Sequence, residues 1–337
     1  MNKASITPAE MPNRRPTTRS IVTTLLTLTV IATIAITAWN LHQQHDLAAP
    51  LMSYSFFSAT FLAIIYRIVN PFGWNLVVQG MGHKVSAIES TRIWLLAESR
   101  RWLPGGIWGY TSRAVASQKI GLTKTAASAS MAIELLATIA AAACVSVIGI
   151  AIYYRELYST VAELSANSGL SQGTALWFTV ASIGTAAVVW LLRNKLKQKI
   201  SKAAQKFESL RSVKIQPKWL AGSIGYLTLM AVLNGAINSV LLNAVSTESV
   251  PLVAMIAATA TAWIIGFFAF LSPGGILVRE AALAALLLPW LPYEVGFALA
   301  ILSRFAQLIA EVVGMGAAVW KGPARIHTQP EAYQEIA

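Results

Sequence analysis

Long apolar segments constrain this chain more than any other feature of its sequence. A helix that crosses a bilayer needs about 20 mainly apolar residues, because the hydrocarbon core is about 30 Å thick. Segments that approach or exceed this length cover residues 21–39, 51–68, 126–153, 175–192, 220–245, 252–271 and 295–320. The composition agrees, with 55% hydrophobic and 12% charged residues among 337. The sequence therefore predicts an all-α, multi-pass integral membrane protein.

One further apolar run, 281–291, is too short for a clear prediction. It is compatible either with a crossing or with a re-entrant piece that returns to the side it came from. Lys321 and Arg325, beyond the last span, favour a cytoplasmic C-terminus, and that location requires the run to cross. On this argument we expect about eight transmembrane helices.

The formal net charge of +12 raises the question of nucleic-acid binding. The basic residues are concentrated in the segments 1–19, 67–124 and 193–218. The loops on the other side of the predicted spans contain a single basic residue, Arg155. This asymmetry is the positive-inside pattern, which places the N-terminus and both basic connections in the cytoplasm. The excess charge is explained without nucleic acid, so membrane lipids are the expected partners and nucleic acid is not.

The Lys-rich connection divides the chain into two halves. We expect a basic cytoplasmic tail (1–19), a multi-pass membrane domain (20–320) and a short C-terminal tail (321–337). The domain would consist of halves at about 20–192 and 219–320, joined by a cytoplasmic linker at 193–218. The linker is interpreted as a solvated connector, with contact to anionic lipids as the alternative.

Two Pro-Gly-Gly sequences interrupt apolar stretches at corresponding places in the two halves. They consist of Pro104, Gly105 and Gly106, and of Pro273, Gly274 and Gly275. A helix does not run through such a sequence, because proline lacks a backbone donor and glycine permits conformations closed to other residues. Non-helical backbone at membrane depth is tolerated where protein buries it or where it lines a wet cavity. Paired breaks of this kind are typical of transporter binding sites.

Each break is followed by a predicted span with an ionisable residue inside it. Setting Leu122 against Pro292 aligns Glu134 with Arg304 without a gap, which indicates a weak internal repeat. At about 1.5 Å per residue, both charges lie roughly 13 to 15 Å from the start of their helix, near the midplane. A charge there costs about 2.5 to 3.5 kcal/mol on insertion scales. We therefore expect Glu134 and Arg304 to form an ion pair.

Other polar residues are predicted to join this pair. Gln307 and Glu311 share a helix face with Arg304, and Arg113 and Arg279 follow the breaks, where helix N-termini favour phosphate. The predicted headgroup site comprises Arg113, Glu134, Arg279, Glu280, Arg304, Gln307 and Glu311. The alternatives are a buried ion pair that only fixes helix register and, for Arg113, an ordinary positive-inside arginine.

Catalytic and metal-binding patterns are weak. His42, His45 and Asp46 have a metal-like spacing but lie in a short polar loop without a fourth ligand. The sequence has no nucleophile elbow and no GKS or GKT phosphate loop. We therefore predict no metal, no cofactor and no enzymatic activity. Transport would be downhill or ion-coupled, with the carboxylates of the predicted site as candidates for a proton step.

The stretches WLPGGIWGYTSRAVASQKIGLTKTAASASMAIELL and FLSPGGILVREAALAALLL resemble the lysylphosphatidylglycerol synthase transmembrane family, also called flippase-like. The matching positions are Pro104, Gly105, Gly106, Glu134, Pro273, Gly274, Gly275, Arg279 and Glu280. Gly106 stands where the family often has lysine, and Leu135 where arginine often follows the glutamate. The resemblance implies a protein that moves phospholipids or lipid-linked molecules across the cytoplasmic membrane.

Full-length synthases of that family carry a soluble aminoacyl-transferase domain after the membrane region. Only residues 321–337 follow the last predicted span here, so we expect a stand-alone membrane domain that does not synthesise an aminoacyl lipid. An alternative function is a non-transporting subunit that scaffolds an envelope glycolipid or polysaccharide enzyme. A membrane-embedded transferase is a third possibility, but it would require a polar catalytic cluster, and none is evident in the sequence.

Overall fold

The computed structural model describes residues 48–98, 108–167, 215–269 and 277–320, and these residues form helices and turns without a β-strand. The helices are α1 (Ala48–Leu51), α2 (Tyr54–Val69), α3 (Phe72–Gly80), α4 (Ala87–Glu98), α5 (Trp108–Ser117), α6 (Lys124–Ile152), α7 (Tyr154–Asn167), α8 (Pro217–Leu242), α9 (Leu252–Phe268), α10 (Val278–Leu286) and α11 (Tyr293–Trp320). A short 3-10 helix, Gln118–Ile120, lies between α5 and α6.

Local chemistry sets where the long helices begin. The Ser53 side chain accepts a hydrogen bond from the Phe56 N–H at the start of α2, at 3.1 Å. Thr123 caps α6 in the same way through the Ala126 N–H, at 3.1 Å. Pro217 occupies the first turn of α8, where its missing N–H removes no helical bond. These caps satisfy donors that a helix leaves unpaired at its start.

The described residues contain four stretches long and apolar enough to cross a membrane, namely Tyr54–Gly80, Lys124–Ile152, Pro217–Leu242 and Tyr293–Trp320. They confirm a multi-pass membrane protein. The predicted spans 21–39 and 175–192 lie outside the described residues. Helix α9 has 17 residues, and α10 has nine, which is about 13 Å of helix. Because that is less than half of the hydrocarbon thickness, α10 does not cross alone.

The helices that flank each Pro-Gly-Gly sequence pack against each other as a hairpin. In the second half a Cβ on Gly266 of α9 would lie 2.8 Å from the Arg279 Cβ of α10, so only glycine permits this approach. In the first half α4 packs against α5. Val85 before α4 and Leu122 after α5 belong to one hydrophobic cluster, so this hairpin begins and ends at the same place. The breaks themselves lie outside the described residues.

Contacts along α11 show how the two hairpins are arranged. Near the start of α11, Gly296 packs against Ala284 at the end of α10. Near its end, the Ala318 carbonyl accepts a 2.8 Å hydrogen bond from Arg92 of α4. Residues 296 and 318 are about 33 Å apart along a helix that rises 1.5 Å per residue. The two hairpins therefore enter the bundle from opposite ends.

The hairpin helices converge on the middle of α11. From α10, Arg279 reaches Gln307, and from α4, Leu95 packs against Gly314. The helix ends nearest the two breaks therefore approach the same central stretch of α11 from opposite directions.

The second hairpin also returns to the end at which it starts. Ala254 and Ala257, early in α9, line the same small cleft as Leu286 and Trp290 at the end of α10. The chain can therefore begin α11 from that end and cross once. The argument that a cytoplasmic C-terminus requires 281–291 to cross is thus wrong, because it did not allow for α9 and α10 folding back as a unit.

Helix α8 joins the halves. It begins the second half but packs along α2 and α3 of the first. Ser223 donates a 3.0 Å hydrogen bond to the Gly73 carbonyl of α3, and Tyr226 donates a 2.8 Å bond to the Val69 carbonyl at the end of α2. At its other end Asn238 donates to Thr259 of α9 at 3.0 Å. Buried polar bonds of this kind fix the helix register between the halves.

Candidate functional site

The first hairpin holds a buried ion pair with the long helix that follows it. The Arg113 guanidinium of α5 bonds to Glu134 Oε2 of α6, and the two side chains are 6% and 12% exposed. Glu134 Oε1 accepts a 3.0 Å hydrogen bond from the indole N–H of Trp94 on α4. Both carboxylate oxygens of Glu134 are therefore held, one by each helix of the hairpin.

Aromatic packing fixes the position of Arg113. Its guanidinium lies over the Trp74 ring, 4.3 Å from the centroid, and the Trp74 indole donates a 2.9 Å hydrogen bond to Ser130 of α6. The Arg113 Nε is buried and has no hydrogen-bond partner among the described residues. The guanidinium thus keeps one donor for a further acceptor, and an anionic oxygen suits that position.

The second hairpin holds a pair of the same kind with the signs reversed. Glu280 of α10 accepts from the Arg304 Nε of α11 at 2.8 Å, with side chains 6% and 16% exposed. Beside it Arg279 donates to Gln307 at 3.2 Å, and Gln307 donates to Ser303 at 3.3 Å. The Glu280 Oε2 is buried and has no hydrogen-bond partner within the described part of the chain.

The predicted pair between Glu134 and Arg304 is wrong. Glu134 bonds to Arg113, and Arg304 bonds to Glu280. The physical reason is that the short helix after each break packs against the long helix that follows it, α5 against α6 and α10 against α11. The ionisable residue in each long helix is therefore paired within its own half. The alignment of the two positions nevertheless corresponds to a repeated arrangement, in which a short helix after a break pairs with a long helix.

A third ion pair, which the sequence did not indicate, connects the two halves. Arg67 of α2 donates to Glu311 of α11 at 2.8 Å, with side chains 12% and 10% exposed. The Arg67 guanidinium also lies 4.9 Å from the centroid of Trp94. Trp94 therefore contacts Arg67 through its ring face and Glu134 through its N–H. The inter-half pair and the first hairpin pair share one indole.

The predicted polar stripe on α11 is confirmed. Arg304, Gln307 and Glu311 all contact residues of other helices inside the bundle, on α10 and α2. The structure thus brings together two groups of the predicted residues, Arg113 with Glu134 and Arg279 with Glu280, Arg304 and Gln307. The six Pro-Gly-Gly residues and the His42, His45 and Asp46 group lie outside the described residues. Among the described residues, no three His, Cys, Asp or Glu side chains are grouped to hold a metal.

The Arg113 Nε and the Glu280 Oε2 are buried polar atoms of this core that have no hydrogen-bond partner in the described part of the structure. Buried polar groups in proteins are almost always bonded, so such exceptions indicate water or a ligand. Among the described residues, the core thus has bonding capacity left for a further group.

Comparison with protein-family models identifies the family of the chain. A family model described as the lysylphosphatidylglycerol synthase TM region matches residues 20–314. The chain belongs to this family. The matched range covers both hairpins and all three ion pairs, and membership of the lysylphosphatidylglycerol synthase TM region family places the chain among membrane proteins of lipid metabolism or transport. No curated protein matches the sequence.

Proposed function

We propose that this protein translocates an anionic phospholipid or a lipid-linked headgroup across the cytoplasmic membrane, without covalent chemistry. The observation that carries the proposal is a buried charged core between two hairpins that enter from opposite ends of the bundle. In that arrangement a headgroup that approaches the core from either face of the membrane passes along one of the two hairpins. Family membership supports a lipid as the substrate.

The anionic part of the headgroup has a defined place to bind. The buried Nε of Arg113 donates to a phosphate oxygen while Trp94 and the other guanidinium nitrogens retain Glu134. Around the second hairpin, the described residues Arg279 and Arg304 supply two positive charges and Glu280 supplies one negative charge. Charge-assisted bonds from arginine to phosphate are strong and directional. The core therefore favours an anion.

The distribution of charge at the two ends of the bundle supports an orientation. Basic residues flank the helix ends beside the first hairpin, at Lys84, Lys119, Lys124 and Lys218. At the opposite end the described residues carry more acidic than basic side chains, with Glu156, Glu248 and Glu294 beside a single arginine, Arg155. By the positive-inside rule the first hairpin enters from the cytoplasm, and the N-terminal tail lies on that side. We infer that the predicted spans 21–39 and 175–192, which lie outside the described residues, also cross, and this gives six crossings and two hairpins in place of about eight crossings.

The test is lipid exchange by the purified protein in liposomes. The probe is headgroup-labelled phosphatidylglycerol, and the signal is the fraction that changes leaflet. We expect exchange with the wild type and none with Glu134→Gln, because the amide cannot hold Arg113 by charge. Glu294→Gln is the matched control, since Glu294 is an exposed acid on α11 away from the core.

Two results would contradict the proposal. Exchange by Glu134→Gln at the wild-type rate would remove that residue from the path. Absence of exchange by the wild type across a panel of anionic lipids would favour the scaffold alternative. In that case a stable partner, such as an envelope glycolipid or polysaccharide enzyme, should copurify with the protein.

A further inference from the structure

The carboxylate of Glu280 has one oxygen that is satisfied and one that is not. Its Oε1 accepts a hydrogen bond from the Arg304 Nε at 2.8 Å, whereas its Oε2 is buried and has no hydrogen-bond partner among the described residues. The Glu280 side chain is 6% exposed. A carboxylate oxygen only accepts hydrogen bonds, and a buried acceptor without a donor costs free energy. The second oxygen therefore suits a group that brings a hydrogen-bond donor.

The first hairpin has the opposite bonding capacity. Both oxygens of Glu134 are bonded there, one by Trp94 and one by Arg113, so this carboxylate has no buried oxygen left without a donor. The buried atom without a partner is the Arg113 Nε, which is a donor. The core thus offers a donor beside the first hairpin and an acceptor beside the second. A ligand that matches both carries an anionic oxygen and a hydrogen-bond donor.

The two places are neighbours along α11. Arg304 bonds to Glu280, and Glu311 bonds to Arg67, whose guanidinium lies over the Trp94 ring. Arg304 and Glu311 are about two turns apart on the same face of α11, which is about 10 Å. A headgroup that passes from one hairpin to the other along this face therefore meets both atoms.

The charges around Glu280 favour a neutral donor. Among the described residues, Arg279 adjoins it in sequence and Arg304 contacts it, so positive charges outnumber negative ones there. Helix α9, which also packs against α10, contains no ionisable residue. An ammonium group would add a further positive charge, and a metal ion would need several oxygen ligands that the described residues do not group together. A hydroxyl donates a hydrogen bond without adding charge.

We propose that Glu280 determines headgroup specificity, and that its Oε2 accepts a hydrogen bond from a hydroxyl group of the transported lipid. This inference rests on the proposed function and names its substrate class, an anionic phosphodiester lipid whose headgroup carries a hydroxyl. The phosphate of such a headgroup matches the Arg113 Nε, and its hydroxyl matches the Glu280 Oε2. The ion pair of Glu280 with Arg304 stays intact, and no group changes its protonation.

The expected discrimination follows from the cost of an unsatisfied oxygen. A headgroup hydroxyl that displaces water from such an atom reproduces the hydrogen bond, whereas an alkyl or ether group in the same place does not. A site that bonds a substrate hydroxyl rejects analogues without it, because its own buried polar group is then left unpaired. Since hydrogen bonds to charged groups are stronger than average, we expect the hydroxyl to be favoured by about tenfold or more.

The experiment compares two lipids that differ in a single donor. Both carry a fluorescent acyl chain and one negative charge, and their headgroups are a 2-hydroxyethyl phosphodiester and its methyl ether. In liposomes that contain the wild type or the control Glu294→Gln, the hydroxyl lipid should exchange about tenfold faster or more. In Glu280→Gln the amide oxygen stays with Arg304, so the amide N–H takes the place of Oε2. It can donate to a hydroxyl or to an ether oxygen, so this variant should exchange both lipids at similar rates.

Three results would count against the inference in different ways. Equal rates for the two lipids with the wild type would overturn it, and so would a wild-type preference that persists in Glu280→Gln. Exchange of phosphatidylethanolamine at the rate of the hydroxyl lipid would overturn the choice of a hydroxyl over an ammonium group. Absence of exchange for every lipid with the wild type would instead refute the proposed function.

A second measurement covers variants that do not move lipid. Short-chain forms of the two lipids are titrated into purified protein in detergent, and the two dissociation constants are compared. The wild type and Glu294→Gln should bind the hydroxyl lipid about tenfold more tightly or more, and Glu280→Gln should bind both lipids equally. Equal binding by the wild type, or an unchanged preference in Glu280→Gln, would refute the role of Glu280 whether or not the protein exchanges lipid.

Discussion

Replacement of Glu134 by leucine tests whether the ion pair of Arg113 and Glu134 is buried and intact, as the structure shows. The substitution removes the carboxylate that bonds to Arg113 and that accepts the Trp94 N–H. The Arg113 side chain, at 6% exposure, then loses the carboxylate with which it forms its ion pair. The companion variant is the double substitution Arg113→Met and Glu134→Leu, which removes both charges.

The expected magnitudes follow from the contacts that are lost. Breaking a buried pair by removing one partner costs about 3 to 5 kcal/mol, because an uncompensated charge stays buried. The donor of Trp94 left without an acceptor adds about 1 kcal/mol or more. The single variant should therefore lose about 4 to 6 kcal/mol of unfolding free energy. The double variant retains only the cost at Trp94, so it should lose about 1 to 3 kcal/mol.

The assay is reversible unfolding in mixed micelles. The free energy of unfolding is measured for the wild type, for the single variants Glu134→Leu and Arg113→Met, and for the double variant. Glu294→Leu serves as a control, and at its exposed position it should stay within about 0.5 kcal/mol of the wild type. A loss below about 1 kcal/mol for Glu134→Leu would show that the pair is not buried. A double variant whose loss equals the sum of the single losses would show that the two residues do not interact.

Two further predictions concern packing and the shared indole. Trp94→Phe keeps a ring face for Arg67 but loses the hydrogen bond to Glu134, so it should lower the unfolding free energy by about 1 to 3 kcal/mol. The same unfolding assay measures this loss, and no change would mean that the bond is absent. Gly149→Ala would place a Cβ against the Ala257 Cβ and should destabilise by about 1 to 3 kcal/mol. Gly222→Ala on α8 meets nothing within 4 Å and should stabilise by up to about 1 kcal/mol. Equal effects of the two glycine substitutions in that assay would contradict the close contact of α6 with α9.

The long spans could be predicted from the sequence because their signal is local. The run 126–153 agrees with α6, and 295–320 agrees with α11, to within two residues at each end. The run 252–271 was expected to be a full span, but α9 ends at Phe268 and belongs to a hairpin. Apolarity reports that a segment is in the membrane, and it does not report whether the segment returns to its starting side.

The partners in the core could not be predicted, because they depend on the packing of helices distant in the chain. Spacing put Arg304, Gln307 and Glu311 on one face correctly, since helix periodicity is also local. Arg67 resembled an ordinary positive-inside arginine at the end of a span, and nothing in the sequence linked it to Glu311. Recognition of Glu280 as the partner of Arg304 required knowledge that α10 folds back against α11.

The central claim is that the two hairpins enter the membrane from opposite faces, and cysteine labelling in intact cells tests it most directly. Cys144, the single native cysteine, is exposed and is first replaced by alanine. Single cysteines are then introduced as Lys119→Cys after the first hairpin and as Glu294→Cys after the second, both at exposed positions. A membrane-impermeant thiol reagent should label Glu294→Cys in intact cells, and Lys119→Cys only after permeabilisation. Labelling of both positions from the same side would contradict the opposed hairpins and the transport path built on them.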